Sequence, residues 1–188
     1  MYSFNEIKDL KIFITDDDET NLKLVKTVLN QAGFENLKLY SNGKSMMDDV
    51  QHNCPDLILL DIMMPGYSGY QILDWIKSDP ILENIPIIMI TAAALDETLE
   101  PLKMSFELGA MDFISKPFSN LELVLRVSSA LRLEKQRQDL ETAAMKIQRL
   151  EKLLPICSYC KKVRNDKNYW QEVRSEERRV GKECRSRW

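Results

Sequence analysis

"DLILLDIMMPGYSG", residues 56–69, decides the fold. After Pro55, Leu57–Leu60 is an unbroken apolar run, as expected of a strand covered on both faces. Asp61 follows it at once. Similar short runs recur on either side: "KIFIT" (11–15), "NLKLY" (36–40, with one wetter face), "PIIMI" (86–90) and "DFIS" (112–115). Helix-like stretches separate them. Leu22, Leu24, Val25, Val28, Leu29 and Ala32 keep helical spacing over 19–32, and Gly33 sits where a C-cap belongs. Further helices are expected over about 43–51, over 68–77 with Tyr70, Leu73, Trp75 and Ile76 near one face, over 96–108 before Gly109, and from about Ser119 onward. Five strand–helix units imply an α/β fold: a doubly wound parallel sheet with helices on both faces and right-handed crossovers. Ligands of such sheets bind outside the carboxyl ends of the strands.

The residues at those ends are Asp16, Asp17 and Asp18, then Asp61, Thr91 and Lys116. Singly, each is commonplace, since an Asp after a strand is usually a helix cap. Together they put carboxylates, a hydroxyl and an ammonium at one sheet edge, a set suited to a divalent cation beside a phosphoryl group. In "FITDDDET" (13–20) four acids follow one another. Two carboxylates about 4 Å apart repel by roughly 4 kcal/mol at an effective dielectric near 20, so either a cation joins them or they point apart. Asp18 and Glu19 suit a helix start, where the dipole favours negative charge.

With these residues in place, residues 8 to about 130 resemble the receiver domain of a two-component response regulator. The motifs are "ITDD", "DLILLDIMMPGYSG" with its D-x-x-M-P-x-x-x-G spacing, "PIIMITA" and "FISKPF". The resemblance implies a five-stranded, flavodoxin-like sheet of order 2-1-3-4-5. It also implies a phosphoryl group taken from a histidine kinase, or a phosphotransfer protein, onto Asp61 with Mg²⁺. By position, Asp17, Asp61 and the Met63 carbonyl would bind the metal directly and Asp16 through water. Thr91 and Lys116 would hold phosphoryl oxygens, with Thr91 and Phe113 as the switch pair and Lys116-Pro117 as the family's cis peptide. Ala92 would leave room at the site. Signalling would use the face made by the fourth helix, fifth strand and fifth helix. Such a domain catalyses only its own phosphorylation and dephosphorylation and is not otherwise an enzyme. Met63 and Ala93, which would tune hydrolysis, cannot hydrogen-bond an attacking water, so slow self-dephosphorylation is expected. His52, the only histidine, lies in a polar loop and is a poor phosphodonor, which calls for a donor on another protein.

Two other functions fit parts of the pattern. "DDDET" matches the D-x-D-x-T of haloacid dehalogenase-like phosphatases, with Asp16 as nucleophile and Asp18 as acid, but no later acidic pair or cap insertion follows. A receiver that has lost phosphorylation could act as a binding module alone, against which stand the intact Asp61, Thr91 and Lys116.

The 188 residues suit one domain plus an appendage, with 29% charged and 44% hydrophobic residues. No signal-like N-terminus or membrane-length apolar run occurs, so a cytoplasmic protein is expected. The receiver is expected over 1–119, its fifth helix running to about 131. Between Ser119 and Leu154 there is no Gly or Pro, and Leu133, Leu140, Ile147 and Leu154 recur every seven residues. Residues 132–154 thus read as a signalling helix that pairs two chains as a coiled coil, with a single amphipathic helix as the alternative. A homodimer through that helix or through the receiver face is the expected assembly, and no DNA-binding module follows residue 119.

Pro155 ends the helix. Residues 155–173 contain Cys157-x-x-Cys160 and Tyr169-Trp170, resembling a truncated form of a Cys-containing tail motif. Two thiolates alone cannot close a tetrahedral zinc site, so this segment is expected to be unfolded or half-formed. Residues 174–188 resemble a translated sequencing adapter, which leaves Cys184 outside any site; a basic tail for nucleic acid is the alternative. Without the six bases and three acids of that tail the chain carries −6, which disfavours nonspecific nucleic-acid binding.

Overall fold

The computed structural model of the chain describes residues 4–91, 100–153, 163–164 and 170–171. They divide into two compact units, Met1–Gln138 and Asp139–Trp188. After a 3₁₀ turn at Phe4–Ile7, the first unit runs β1 (Ile12–Thr15), α1 (Glu19–Gln31), β2 (Leu37–Tyr40), α2 (Gly43–Val50), β3 (Leu57–Asp61), α3 (Gly69–Ser78), β4 (Ile87–Thr91), α4 (Glu100–Glu107), β5 (Asp112–Ser115) and α5. Helix α5 spans Asn120–Leu153 and so continues past Gln138. In the second unit β6 (Val163–Arg164) pairs antiparallel with β7 (Trp170–Gln171). Among the described residues no helix is long and apolar enough to cross a membrane.

The first sheet has order β2-β1-β3-β4-β5. Every pair in it is parallel, with Ile12 opposite both Leu37 and Leu57, Ile58 opposite Ile87, and Ile88 opposite Asp112. Alternation along the strands feeds two cores. Ile12, Ile14, Leu57, Leu59, Ile88, Ile90 and Ile114 pack with Leu22, Val25 and Leu29 of α1 and Leu123, Val127 and Leu131 of α5. Phe13, Ile58, Leu60, Ile87 and Met89 pack with Met46 and Val50 of α2 and Ile72, Leu73 and Ile76 of α3. Each fully buried aliphatic contributes about 1.5–3 kcal/mol of transfer free energy, and the central strands place every apolar side chain in one core or the other.

Helix starts are set by local side-chain caps. Asp18 accepts from the Thr20 N–H at 2.7 Å, Asn42 from Ser45 at 2.9 Å, and Ser119 Oγ from Glu122 at 3.1 Å. Ser68 and Gln71 form a reciprocal capping box at α3. Such caps are typically worth about 1 kcal/mol each and fix where the chain leaves each strand edge.

At the site, β3 and β4 each run one residue past expectation. Asp61 and Thr91 are the last residues of β3 and β4 rather than the first beyond them, because each still pairs in the ladder, Asp61 with Ile90 and Thr91 with Ser115. Residues 92–99, including Ala92, Ala93 and the expected start of the fourth helix, lie outside the described residues. So do Leu154, Cys157, Cys160, Tyr169 and the tail 174–188 with Cys184.

Candidate functional site

The carboxyl edge of the sheet gathers Asp16, directly after β1, with Asp61, Thr91 and Lys116, directly after β5. Asp16 and Asp61 are buried, at 3% and 4% exposure, which few carboxylates tolerate without a partner. That partner is Lys116: Nζ donates to Asp16 Oδ2 at 2.7 Å and to Asp61 Oδ1 at 2.5 Å. The remaining oxygens are also bonded. The Met63 N–H donates to Asp61 Oδ2 at 2.7 Å, and Asp16 Oδ1 accepts from the Asp18 N–H at 2.9 Å and from Asn21 Nδ2 at 3.3 Å.

Backbone geometry holds these groups in place. Lys116 N–H donates to the Thr91 carbonyl at 2.6 Å, joining the ends of β4 and β5, and the Lys116-Pro117 peptide is cis. In the loop after β3, Gly66 follows Pro65 with φ at 85°, the left-handed region that glycine enters without steric cost. Gly69 N–H then returns to the Ile62 carbonyl at 2.9 Å. A Cβ on Gly69 would lie 2.3 Å from the Asp61 carbonyl oxygen, so only glycine permits the start of α3 to lie against the end of β3.

Electrostatics follow from burial. Desolvation pushes the Asp61 carboxyl above its ordinary range, partly opposed by Lys116. Burial by itself would lower Lys116, but its bonds to Asp16 and Asp61 outweigh that and raise it. Two buried acids share one ammonium, which leaves the pocket short of positive charge. Asp17 is exposed and makes no hydrogen bond or ion pair among the described residues, where no three His, Cys, Asp or Glu side chains form a ready-made metal cluster. The site thus joins Asp16, Asp61, Thr91 and Lys116 and leaves Asp17 at its rim. The charge deficit, hard oxygen donors and free Asp17 carboxylate together fit Mg²⁺.

Phe113 is half-buried. Its ring meets Phe106 edge-on at 5.8 Å between centroids, and the Arg126 guanidinium lies 5.7 Å from its centre. Arg126 is itself bound to Asp112 at 2.7 Å and to Glu122 at 3.1 Å. The sequence pattern alone does not mark Phe106, Arg126 or Asn21 as site residues. For Arg126 the one available signal was its i,i+4 spacing from Glu122. His52 is exposed in the α2–β3 loop, at the opposite edge of the sheet.

Strand order 2-1-3-4-5 with acids at the β1/β3 switch point defines a flavodoxin-like α/β domain. Residues 12–128 match the response regulator receiver domain, and the chain belongs to that family. The polar-differentiation response regulator DivK of Brucella anthropi is 33% identical over 120 residues, covering 64% of this chain and 94% of DivK. The BeF3-activated receiver domain of DrrB, from Thermotoga maritima, superposes with a TM-score of 0.58 at 33% identity, covering 66% of this chain and 98% of that one. A receiver domain of a histidine kinase from Syntrophus aciditrophicus gives 0.59 at 31% identity, covering 65% and 90%. The chain is thus a response regulator of two-component signalling, and its receiver is a signalling domain. Family membership leaves the dehalogenase-like function, with Asp16 as nucleophile, without support.

Proposed function

We propose that Asp61 accepts a phosphoryl group from a histidine kinase or phosphotransfer protein. The observation that carries this is the bridge from Lys116 to two buried carboxylates at the strand ends. As an Asp61 oxygen bonds to phosphorus, the donor's bond to phosphorus breaks, and negative charge gathers on the transferred oxygens. Lys116 moves its bonds from the acids to those oxygens, and the Thr91 hydroxyl donates to another. Asp16, Asp17, Asp61 and the Met63 carbonyl are the groups that would hold Mg²⁺. The ion supplies charge neutralisation that makes an anionic nucleophile competent toward an anionic donor. Signalling then proceeds through Thr91 and Phe113 to the face of α4, β5 and α5, and the domain's only catalysis is on its own phosphoryl group.

Labelling the purified chain with phosphoramidate tests this. Uptake should need Mg²⁺, vanish with EDTA and vanish in Asp61→Asn. Uptake indifferent to both would put the label on another residue, and no uptake at all would leave a receiver that acts only by binding.

The exposed Leu133, Leu140 and Ile147 on α5 support pairing with a second copy of the chain. Sedimentation of Leu140→Glu should then give a lighter species than the wild type.

A further inference from the structure

The residues of α5 that bury against the sheet are Leu123, Val127, Ala130 and Leu131, and the next buried position is Glu134, at 4% exposure. Spacings of four, three and four from Leu123 put Glu134 on the same helical stripe. A carboxylate thus stands where the stripe calls for another aliphatic. It is fully bonded: Arg137 donates from Nε at 2.9 Å and Nη2 at 2.5 Å, and Gln138 Nε2 donates at 2.8 Å. The same Gln138 nitrogen donates to Asp56 Oδ1 at 2.8 Å, and the other Asp56 oxygen accepts from the Lys11 N–H at 2.7 Å. One amide therefore ties the helix to the entry of β3, and Asp56 passes the tie to the entry of β1. Lys77 of α3, half-buried with its ammonium on the Glu83 and Ile85 carbonyls, lies near enough to interact with Glu134. The whole cluster sits at the amino edge of the sheet, opposite Asp61, and the first compact unit ends at Gln138.

We propose that Glu134, Arg137, Gln138 and Asp56 form a releasable latch holding residues 132–138 to the receiver. The chemistry favours release over permanent packing. An aliphatic at position 134 would expose apolar surface when undocked, whereas these four side chains are all well solvated in water. The docked state also carries a cost: Arg132 Nε is buried without a hydrogen-bond partner among the described residues and regains water on opening. Four side chains bonded to one another when closed and soluble when open make the segment a two-state element. It depends on nothing about phosphorylation at Asp61.

Amide hydrogen exchange on the full chain tests this. In the wild type, amides 134–138 should exchange at least tenfold faster than those of 123–131. Glu134→Lys, which sets a cation beside Arg137 and Lys77, should speed exchange at 134–138 about tenfold more and leave β1, β3 and 123–131 unchanged. Glu134→Leu, which completes the apolar stripe, should slow 134–138 toward the rate of 123–131, and that gain cannot arise from misfolding. Equal wild-type protection on both sides of Leu131 would overturn release. Unchanged exchange in both variants would overturn the network's role in docking.

Discussion

Replacing Lys116 by Met removes the one cation between two buried carboxylates and keeps most of the side chain's volume. The Lys116 side chain is 22% exposed and those of Asp16 and Asp61 are 4% and 6%, so solvent screens the contacts little. Breaking a buried pair by removing one partner costs about 3–5 kcal/mol. The loss has a ceiling, because Asp61 can take up a proton instead. From an ordinary carboxyl pKa near 4, protonation at pH 7 costs about three pKa units, or roughly 4 kcal/mol. The expected loss in metal-free buffer is therefore about 3–4 kcal/mol, or roughly 10–15 °C in Tm for a unit of this size. The sign of the pH dependence follows from the raised Asp61 carboxyl. Lys116 opposes that rise in the wild type, so its removal lifts the Asp61 carboxyl further in the variant; a higher folded pKa means more stability gained as pH falls, and the deficit of the variant should shrink between pH 7 and pH 5. Urea unfolding of wild type and Lys116→Met at both pH values measures this. The double variant with Asp61→Asn should recover most of the loss. A single variant as stable as wild type at pH 7, or a deficit that does not shrink at pH 5, would refute the coupling of these groups.

Gly69→Ala should destabilise by about 3 kcal/mol in chemical denaturation and slow phosphoryl uptake, since its Cβ would meet the Asp61 carbonyl and push the loop that carries Met63. Thr15→Val should stabilise by about 1 kcal/mol, because the Thr15 hydroxyl is fully buried with no hydrogen-bond partner among the described residues and valine keeps its shape; an unfolding midpoint that falls would show that the hydroxyl is used. Met63→Asn should shorten the lifetime of the phosphorylated state, read as loss of radiolabel. The exposed Met63 side chain offers nothing to orient water, so an unchanged lifetime would place the control of hydrolysis elsewhere.

The fold could be read in the sequence because its signals are local. Leu57–Leu60 and Ile87–Ile90 are apolar throughout because both faces of β3 and β4 are covered. The α1 stripe of Leu22, Val25, Val28 and Leu29 names its own buried side. The separation of "DDDET" into a buried Asp16 and a capping Asp18 likewise follows from where β1 ends. What could not be read rests on contacts distant in sequence between residues that look like surface charges. The strand ends place Lys116, Asp16 and Asp61 at one sheet edge, but Lys116 reaches Asp16 across 100 positions and Asp61 across 55, and nothing local marks the bonds themselves. Lys38 and Tyr40 both bond to Asp49, holding its carboxyl below the ordinary range, yet each reads as an ordinary strand or helix residue. At the end of α5 the pattern misleads. Because Glu134, Arg137 and Gln138 are polar, the packed part of the helix reads as ending near 131, while its contacts run to 138.

The proposed role of Asp61 as phosphoacceptor can be read chemically. The direct measurement is to phosphorylate the chain with acetyl phosphate and Mg²⁺, reduce the acyl phosphate with borohydride, and map the converted residue by peptide mass spectrometry. The expected result is a single conversion at Asp61, lost in Asp61→Asn. Conversion at Asp16, or label that survives Asp61→Asn, would contradict it.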